Sequence, residues 1–126
     1  FICLHTPLTP ETRHMISTEQ LSQMKPTAYL INTSRGPVVD EAALVKALKD
    51  GTIAGAALDV FEQEPPAADD PLFQMDQVIL SPHNAALTKE ALLAMAMDSS
   101  QGIVDYLEGR TPQYLCNPQI LQSKTN

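Results

Sequence analysis

A cation, a carboxylate and an imidazole each stand just after a short apolar run of the sequence, as Arg35, Glu64 and His83. This set suits the reduction of a carbonyl by hydride transfer. The guanidinium of Arg35 is a planar fork that can hold a substrate carboxylate and polarise the neighbouring carbonyl. His83, as an imidazolium, can deliver a proton to the oxygen that becomes the alcohol, and in the reverse direction it is the base. Glu64 beside it would favour the charged ring and select the nitrogen that faces the substrate.

Each of the three residues also has a purely structural interpretation. An arginine after a strand is more often part of a surface ion pair, and a histidine before a helix is more often a loop or cap residue. An acid in a proline-rich loop is usually only solvated. The chemical interpretation therefore depends on whether the fold brings the three side chains together.

Short apolar runs alternate with helical patterns along the chain, which predicts an α/β fold with a parallel sheet. Ligands bind beyond the carboxyl ends of the strands in such sheets, so Arg35, Asp59 and His83 are expected to converge on one edge, with Glu64 on the same side. The second run is continuously apolar, which is typical of a strand buried on both faces. The small residues of the third run, Gly55 among them, imply that something packs closely against it. The strands are predicted at residues 1–4, 28–31, 53–60 and 78–80.

Start and stop signals place helices between these strands. The longest is expected to present an apolar stripe at helical spacing, which is typical of a helix that packs on one face. The predicted helices are one beginning at Thr9 with Pro10 in its first position, a short one from Ser17 through Met24, one capped by Asp40 and stopped by Gly51, and the longest over residues 88–108. The stripe consists of Leu92, Met95, Ala96, Ile103, Val104 and Leu107.

Four ordered segments carry a resemblance to a known family. CLHTPLTPETRHMI, MKPTAYLINTSRGPVVDEAALVKAL, GAALDVFEQEPP and SPHNAALT resemble the D-isomer-specific 2-hydroxyacid dehydrogenases, in that family's order and from Cys3 to about Gly109. The resemblance implies the second half of a Rossmann-type doubly wound parallel sheet. It assigns residues 1–109 to the NAD-binding domain, with the long helix included, and residues 110–126 to a C-terminal tail.

The same resemblance assigns roles to individual residues. It makes Arg35 the substrate clamp, Glu64 the partner of the histidine and His83 the acid and base. Asp59 would lie near the nicotinamide amide, although a strand-end turn acid stays a credible interpretation. The cofactor is expected to be NAD, with NADP left open. The residues expected to line it are Thr6, Pro7, Thr33, Ser34, Arg35, Asp59, His83, Ala85 and Ala86.

One motif of the family is not found in these 126 residues. No G-x-G-x-x-G occurs among the five glycines, so the turn that would hold the pyrophosphate, and the half of the sheet around it, are expected to precede the first strand. That strand would then present an unpaired edge. We expect these residues alone to bind NAD weakly and to turn over slowly.

The composition and net charge also bear on the classes of partner that are expected. The net charge of −7 gives no electrostatic footprint for nucleic acid or anionic membranes. No apolar run is long enough to span a membrane, and the two cysteines match no metal or redox spacing, so a cytoplasmic protein with reduced thiols is expected. The three histidines show no metal-binding pattern.

Three functions stay open at this point. The first is an oxidoreductase that acts on NAD and a small 2-keto or 2-hydroxy acid, expected as a homodimer because the family is usually dimeric. Glyoxylate, hydroxypyruvate, phosphohydroxypyruvate and pyruvate are all candidate substrates. The second is a non-enzymatic, NAD-sensing scaffold of the corepressor type, which shares the fold and the three residues. The third is an inactive fragment.

Overall fold

The computed structural model describes residues 1–119 of the chain. Four parallel strands form one sheet in the order β1-β2-β3-β4, with Leu4, Asn32, Leu58 and Leu80 in register at the carboxyl ends. The predicted parallel α/β fold is therefore confirmed. The elements are β1 (Ile2–Leu4), α1 (Thr18–Ser22), β2 (Tyr29–Asn32), α2 (Glu41–Lys49), β3 (Gly55–Leu58), β4 (Val78–Leu80) and α3 (Lys89–Leu107), with short 3₁₀ turns at Gly36–Val38 and Pro71–Gln74.

The core lies on one face of this sheet. Leu21 of α1 and Leu44 of α2 are each 1% exposed and share a buried cluster with Leu30 and Leu58 of the sheet. The opposite face is only partly covered: Ile31 and Ala57 are half-buried, and Ile79 of β4 is 73% exposed. The expectation that the second strand is buried on both faces is therefore wrong, because α1 and α2 both pack on the same side.

Local cap signals set the bounds of the two longer helices. The Asp40 carboxylate accepts the Ala43 N–H at 3.0 Å and begins α2, and Gly51 leaves that helix with a φ of 67°. Thr88 accepts the Ala91 N–H at 3.1 Å and begins α3. Both helices are confirmed, since their ends agree with the predicted ones to within a residue or two.

The predicted helix beginning at Thr9 and Pro10 is wrong. Residues 10–14 form hydrogen-bonded turns instead. The Thr12 hydroxyl donates to the Pro7 carbonyl and accepts the Thr9 N–H, both at 2.7 Å, and such side-chain bonds to the backbone compete with helix formation. His14 then leaves the turn with a φ of 52°. The third predicted strand is also shorter than expected.

Glycine at two positions permits close packing. A Cβ at Gly55 would lie 2.5 Å from the Gln77 carbonyl oxygen, so the predicted close approach to this strand is confirmed. A Cβ at Gly36 would lie 1.7 Å from the Phe61 carbonyl oxygen. The backbone that follows Arg35 therefore rests directly on the backbone that precedes Glu64.

The chain divides into two compact units, Phe1–Ala85 and the residues from Ala86 onward. The second unit consists mainly of α3, on which no side chain is buried, so its apolar stripe is exposed. The boundary proposed from the sequence at Gly109 stays a prediction. Residues 120–126 of the predicted tail lie outside the described residues.

Candidate active site

His83 and Glu64 form a hydrogen-bonded pair beyond the ends of β3 and β4. The Nδ1 atom of His83 lies 2.8 Å from Oε2 of Glu64, and Oε1 of the same carboxylate accepts the Phe61 N–H at 3.0 Å. The backbone of His83 has a φ of 52°, a strained conformation for a non-glycine residue and one that recurs at functional sites. The predicted contact between the two side chains is present.

The Glu64 carboxyl is held in its ionised form. The hydrogen bond to His83 lowers its pKa most, the Phe61 N–H lowers it further, and the positive charges of His83 and Arg35 add to the effect. Burial opposes them without reversing the direction. An ionised acceptor on Nδ1 fixes a proton on that nitrogen and leaves Nε2 for a reacting group.

Asp59 fixes the turn that presents His83. Its side chain is 3% exposed and accepts three hydrogen bonds, from the Ser81 hydroxyl at 2.5 Å and from the N–H groups of Asn84 and Ala85 at 2.9 and 2.8 Å. Burial raises the pKa of this carboxyl, but the three donors and the nearby His83 outweigh burial and lower it. These contacts are those of a strand-end turn acid.

Asn32 performs the matching task at the end of β2. Its Oδ1 atom accepts the N–H and the hydroxyl of Ser34 at 3.0 and 2.8 Å, and its Nδ2 atom donates to the Arg35 carbonyl at 2.9 Å. This buried amide closes the turn from which the exposed Arg35 side chain projects. The guanidinium of Arg35 donates to the Ser34 carbonyl at 2.7 Å, and its charge makes the smallest of the contributions that lower the pKa of Glu64.

Two open cavities flank these side chains. A cleft of about 590 Å³ lies beyond β1 and β2, and it gathers five of the residues predicted to line the cofactor. A second, largely apolar cavity of about 420 Å³ lies against Glu64 and His83, with Phe61 and Phe73 in its wall. The cleft is lined by His5, Thr6, Pro7, Leu8, Thr33, Ser34 and Arg35.

The cleft combines hydroxyl groups with an apolar wall. Thr6, Thr33 and Ser34 supply hydroxyl groups, Pro7 and Leu8 supply an apolar wall, and Thr33 is exposed to the cleft. The remaining predicted lining residues contribute differently: the Ala85 N–H is bonded to Asp59, and Ala86 is the exposed first residue of the second unit.

Sequence reasoning missed the residues that hold these turns. Asn32 and Ser81 each come at a strand end before a polar turn, and an Asn or Ser at such a position is a known turn former. That signal was available. No comparable local signal marks Glu62, whose carboxylate contacts Arg13 and His14, 49 and 48 positions earlier in the sequence.

Residues 1–119 contain neither a candidate metal site nor a helix that could span a membrane. No group of three or more His, Cys, Asp or Glu side chains is arranged to hold a metal ion there. No helix in the same part of the chain has the length and apolar character needed to span a membrane.

Comparison with known proteins gives consistent matches. The sequence model for the NAD-binding domain of D-isomer specific 2-hydroxyacid dehydrogenases matches residues 1–85. A glyoxylate reductase of Thermofilum pendens is 54% identical over 121 residues, which are 96% of this chain and 36% of that protein. The chain therefore spans little more than a third of the length of the curated relatives it matches.

Solved structures give the same result and supply the fold type. The NAD complex of a D-isomer specific 2-hydroxyacid dehydrogenase from Lactobacillus delbrueckii ssp. bulgaricus matches with a TM-score of 0.81 and 38% identity, over 88% of this chain and 38% of that chain. An NADPH complex of such an enzyme from Xanthobacter autotrophicus Py2 matches with a TM-score of 0.75 and 41% identity, over 88% and 45%. The prediction that the chain forms part of a Rossmann-type sheet is therefore confirmed.

Proposed function

The chain belongs to the D-isomer specific 2-hydroxyacid dehydrogenase family, and we propose that it supplies the acid–base pair and the substrate clamp of an NAD-dependent oxidoreductase. The reaction interconverts a small 2-keto acid and its 2-hydroxy acid. The observation that carries this proposal is the 2.8 Å bond between His83 and Glu64 at the sheet edge that also bears Arg35. The domain matched by residues 1–85 is an NAD-binding domain, and NADPH in one related structure keeps the choice of dinucleotide open.

We assign one role in this reaction to each residue of the site. NADH, when bound, supplies the hydride that adds to the substrate carbonyl. Arg35 pairs with the substrate carboxylate and withdraws electron density from the adjacent carbonyl oxygen. His83 donates the Nε2 proton to that oxygen as it becomes an alkoxide, and Glu64 stabilises the imidazolium before the transfer. In the reverse direction the neutral ring accepts the proton through the same nitrogen.

Glyoxylate is the first substrate to test. Several of the most similar relatives are named glyoxylate reductases, and others are named glyoxylate/hydroxypyruvate reductases. Hydroxypyruvate is the second substrate to test, and pyruvate the third because D-lactate dehydrogenases are among the related structures. A homodimer and a cytoplasmic location complete the proposal.

Binding of NADH to the 126-residue chain is the first test. The chain contains no tryptophan, so NADH fluorescence can be titrated without interfering emission from indole. Oxalate or oxamate, which mimic the keto acid, should tighten NADH binding by roughly 5- to 150-fold, the range typical of coupled sites. Arg35→Gln should abolish this tightening, because the mimic loses its clamp, whereas Glu19→Gln on α1 should leave it intact.

Turnover is tested in a chimera, in which this chain replaces the matching segment of the Thermofilum pendens glyoxylate reductase. We expect the chimera to oxidise NADH with glyoxylate. A chimera that binds NADH and oxalate but never turns over would favour the NAD-sensing scaffold. A chain that binds neither ligand in any context would contradict both functions.

A further inference from the structure

We propose that Glu62 is a positioning residue for the acid–base pair: by joining three segments of the fold, its carboxylate fixes the short loop from which Glu64 reaches His83. This inference rests on the proposed function for the meaning of the pair, although not for its geometry. Glu62 and Glu64 lie two residues apart in one loop. Their carboxylates have different partners. Glu64 bonds His83, whereas Glu62 bonds His14 and the N–H of Glu41, the first residue of α2.

The carboxylate of Glu62 is shared by the side chains of Arg13 and His14. Its Oε1 atom lies 2.6 Å from Nε2 of His14 and accepts a hydrogen bond from Nη2 of Arg13 at 3.2 Å. Hydrogen bonds of this kind are stronger than neutral ones when the partners are charged. His14 is itself well fixed, because its N–H donates to the Pro37 carbonyl at 2.8 Å and its backbone has a φ of 52°. The loop is thus bonded to a rigid turn.

The second anchor is a reciprocal pair with the start of α2. The N–H of Glu62 donates to Oε2 of Glu41 at 3.0 Å, and the N–H of Glu41 points back to Oε2 of Glu62 at 3.4 Å. The carboxyl of Glu41 is partly buried, and burial raises its pKa. The hydrogen bond from the Glu62 N–H lowers that pKa, whereas the negative charges of Asp70 and Glu62 raise it further. The guanidinium of Arg13, 3.2 Å from Oε1 of Glu62, brings a positive charge to this group of acids.

Close packing leaves the loop little freedom between its anchors. The Phe61 carbonyl rests on Gly36, where a Cβ would come within 1.7 Å of its oxygen. The Phe61 N–H is bonded to Glu64 at 3.0 Å. Since Gly36 directly follows Arg35, its contact with Phe61 links the position of Arg35 to that of the loop. Without the bonds of Glu62, the loop would keep the Gly36 contact and lose the bonds that set its direction.

The test compares Glu62→Ala and Glu62→Gln in the 126-residue chain by ¹⁵N NMR of the imidazole rings. The chain has only three histidines, so each ring is assignable by substitution. Glu64→Gln defines the spectrum of His83 without its anionic partner. We expect Glu62→Ala to shift the His83 nitrogens most of the way toward that spectrum, and Glu62→Gln, which keeps an acceptor for the α2 N–H, to shift them less.

Two variants serve as matched controls. Glu19→Gln removes the same charge from an exposed site on α1, and Gln63→Ala alters the exposed residue between the two acids. Neither should move the His83 signals. A merely structural role for Glu62 would lower the temperature of unfolding and leave the His83 signals of the folded protein in place, and that result would overturn the proposal.

A variant at the other end of the contact keeps the test decisive if Glu62→Ala does not fold. His14→Asn removes the ring that bonds Glu62, and asparagine tolerates the positive φ at this position. We expect it to shift the His83 signals in the same direction; unchanged signals in a folded His14→Asn protein would contradict the proposal. Failure of NADH and oxalate to bind, with the His83 shifts observed, would remove the proposed function and leave the positioning role standing.

Discussion

The sheet edge of residues 1–85 and helix α3 differ in whether their side chains contact other parts of the fold. At the edge, the buried polar groups of Asn32 and Asp59 each bond to the turn they support. Helix α3 has regular ends and a cap at Thr88, yet Leu93 and Leu107 on it are 65% and 76% exposed. Local signals are therefore enough to form an element, whereas a site needs contacts between elements.

The largest effect is expected at the sheet edge itself. His83→Gln in the chimera keeps a hydrogen-bonding side chain but cannot transfer a proton at neutral pH. We expect kcat for glyoxylate reduction to fall by about 10²- to 10⁴-fold, with NADH binding preserved. Steady-state kinetics with Glu19→Gln as the control measure this. A His83→Gln enzyme with undiminished kcat would show that the edge is not the catalytic region.

The core beneath the edge should respond next most strongly. Leu44 of α2 is 1% exposed and packs in the cluster under the sheet. Leu44→Ala removes apolar contacts and leaves a cavity, so the free energy of unfolding should fall by about 2–5 kcal/mol. Urea unfolding followed by circular dichroism measures it. A loss well below that range would mean that the helix pair relaxes into the space and that the edge is less rigidly supported.

The sequence predicted the parts of the structure that depend on neighbours along the chain. Helix α2 was predictable because Asp40 and Gly51 are strong local end signals, and α3 because of Thr88 and Gly109. The convergence of Arg35, Glu64 and His83 was predictable once the sheet was taken as parallel, since carboxyl ends of parallel strands share an edge.

Features that depend on distant partners were not predictable in this way. Thr9 looked like a helix cap, but the Thr12 hydroxyl draws the segment into a turn by bonding Pro7 and Thr9. The bonds of Glu62 to His14 and Glu41 join residues 48 and 21 positions away. The partial exposure of the second face of the sheet was not predictable either, because an apolar run does not indicate how many faces of the strand are covered.

Acid should weaken the edge through Asp59. Because its pKa in the folded state is lowered from the ordinary 3.8, its contribution to stability is complete above that value and is lost as the pH falls through the lowered pKa. Asp59→Asn replaces one acceptor by a donor facing the Ser81 turn, which should cost about 1–3 kcal/mol at neutral pH. Urea unfolding at several pH values should show this difference shrinking below about pH 4. A difference that stays constant into acid would mean that the carboxylate charge contributes nothing to the turn.

The smallest effect is expected on α3, and it tests the other side of the comparison. Leu93 lies in the middle of the helix and is 65% exposed, so truncating it removes little buried surface, and alanine has a slightly better helix propensity than leucine. The free energy of unfolding for Leu93→Ala should stay within about 0.5 kcal/mol of the wild-type value. Measured beside Leu44→Ala under the same conditions, the two variants give a direct contrast between an uncovered and a covered leucine. A loss comparable to that of Leu44→Ala would mean that α3 is covered in solution, and a dependence of that loss on protein concentration would identify the cover as a second copy of the chain. The contrast between the two regions would then hold only for the single chain, and α3 would be the surface through which two copies of the chain associate.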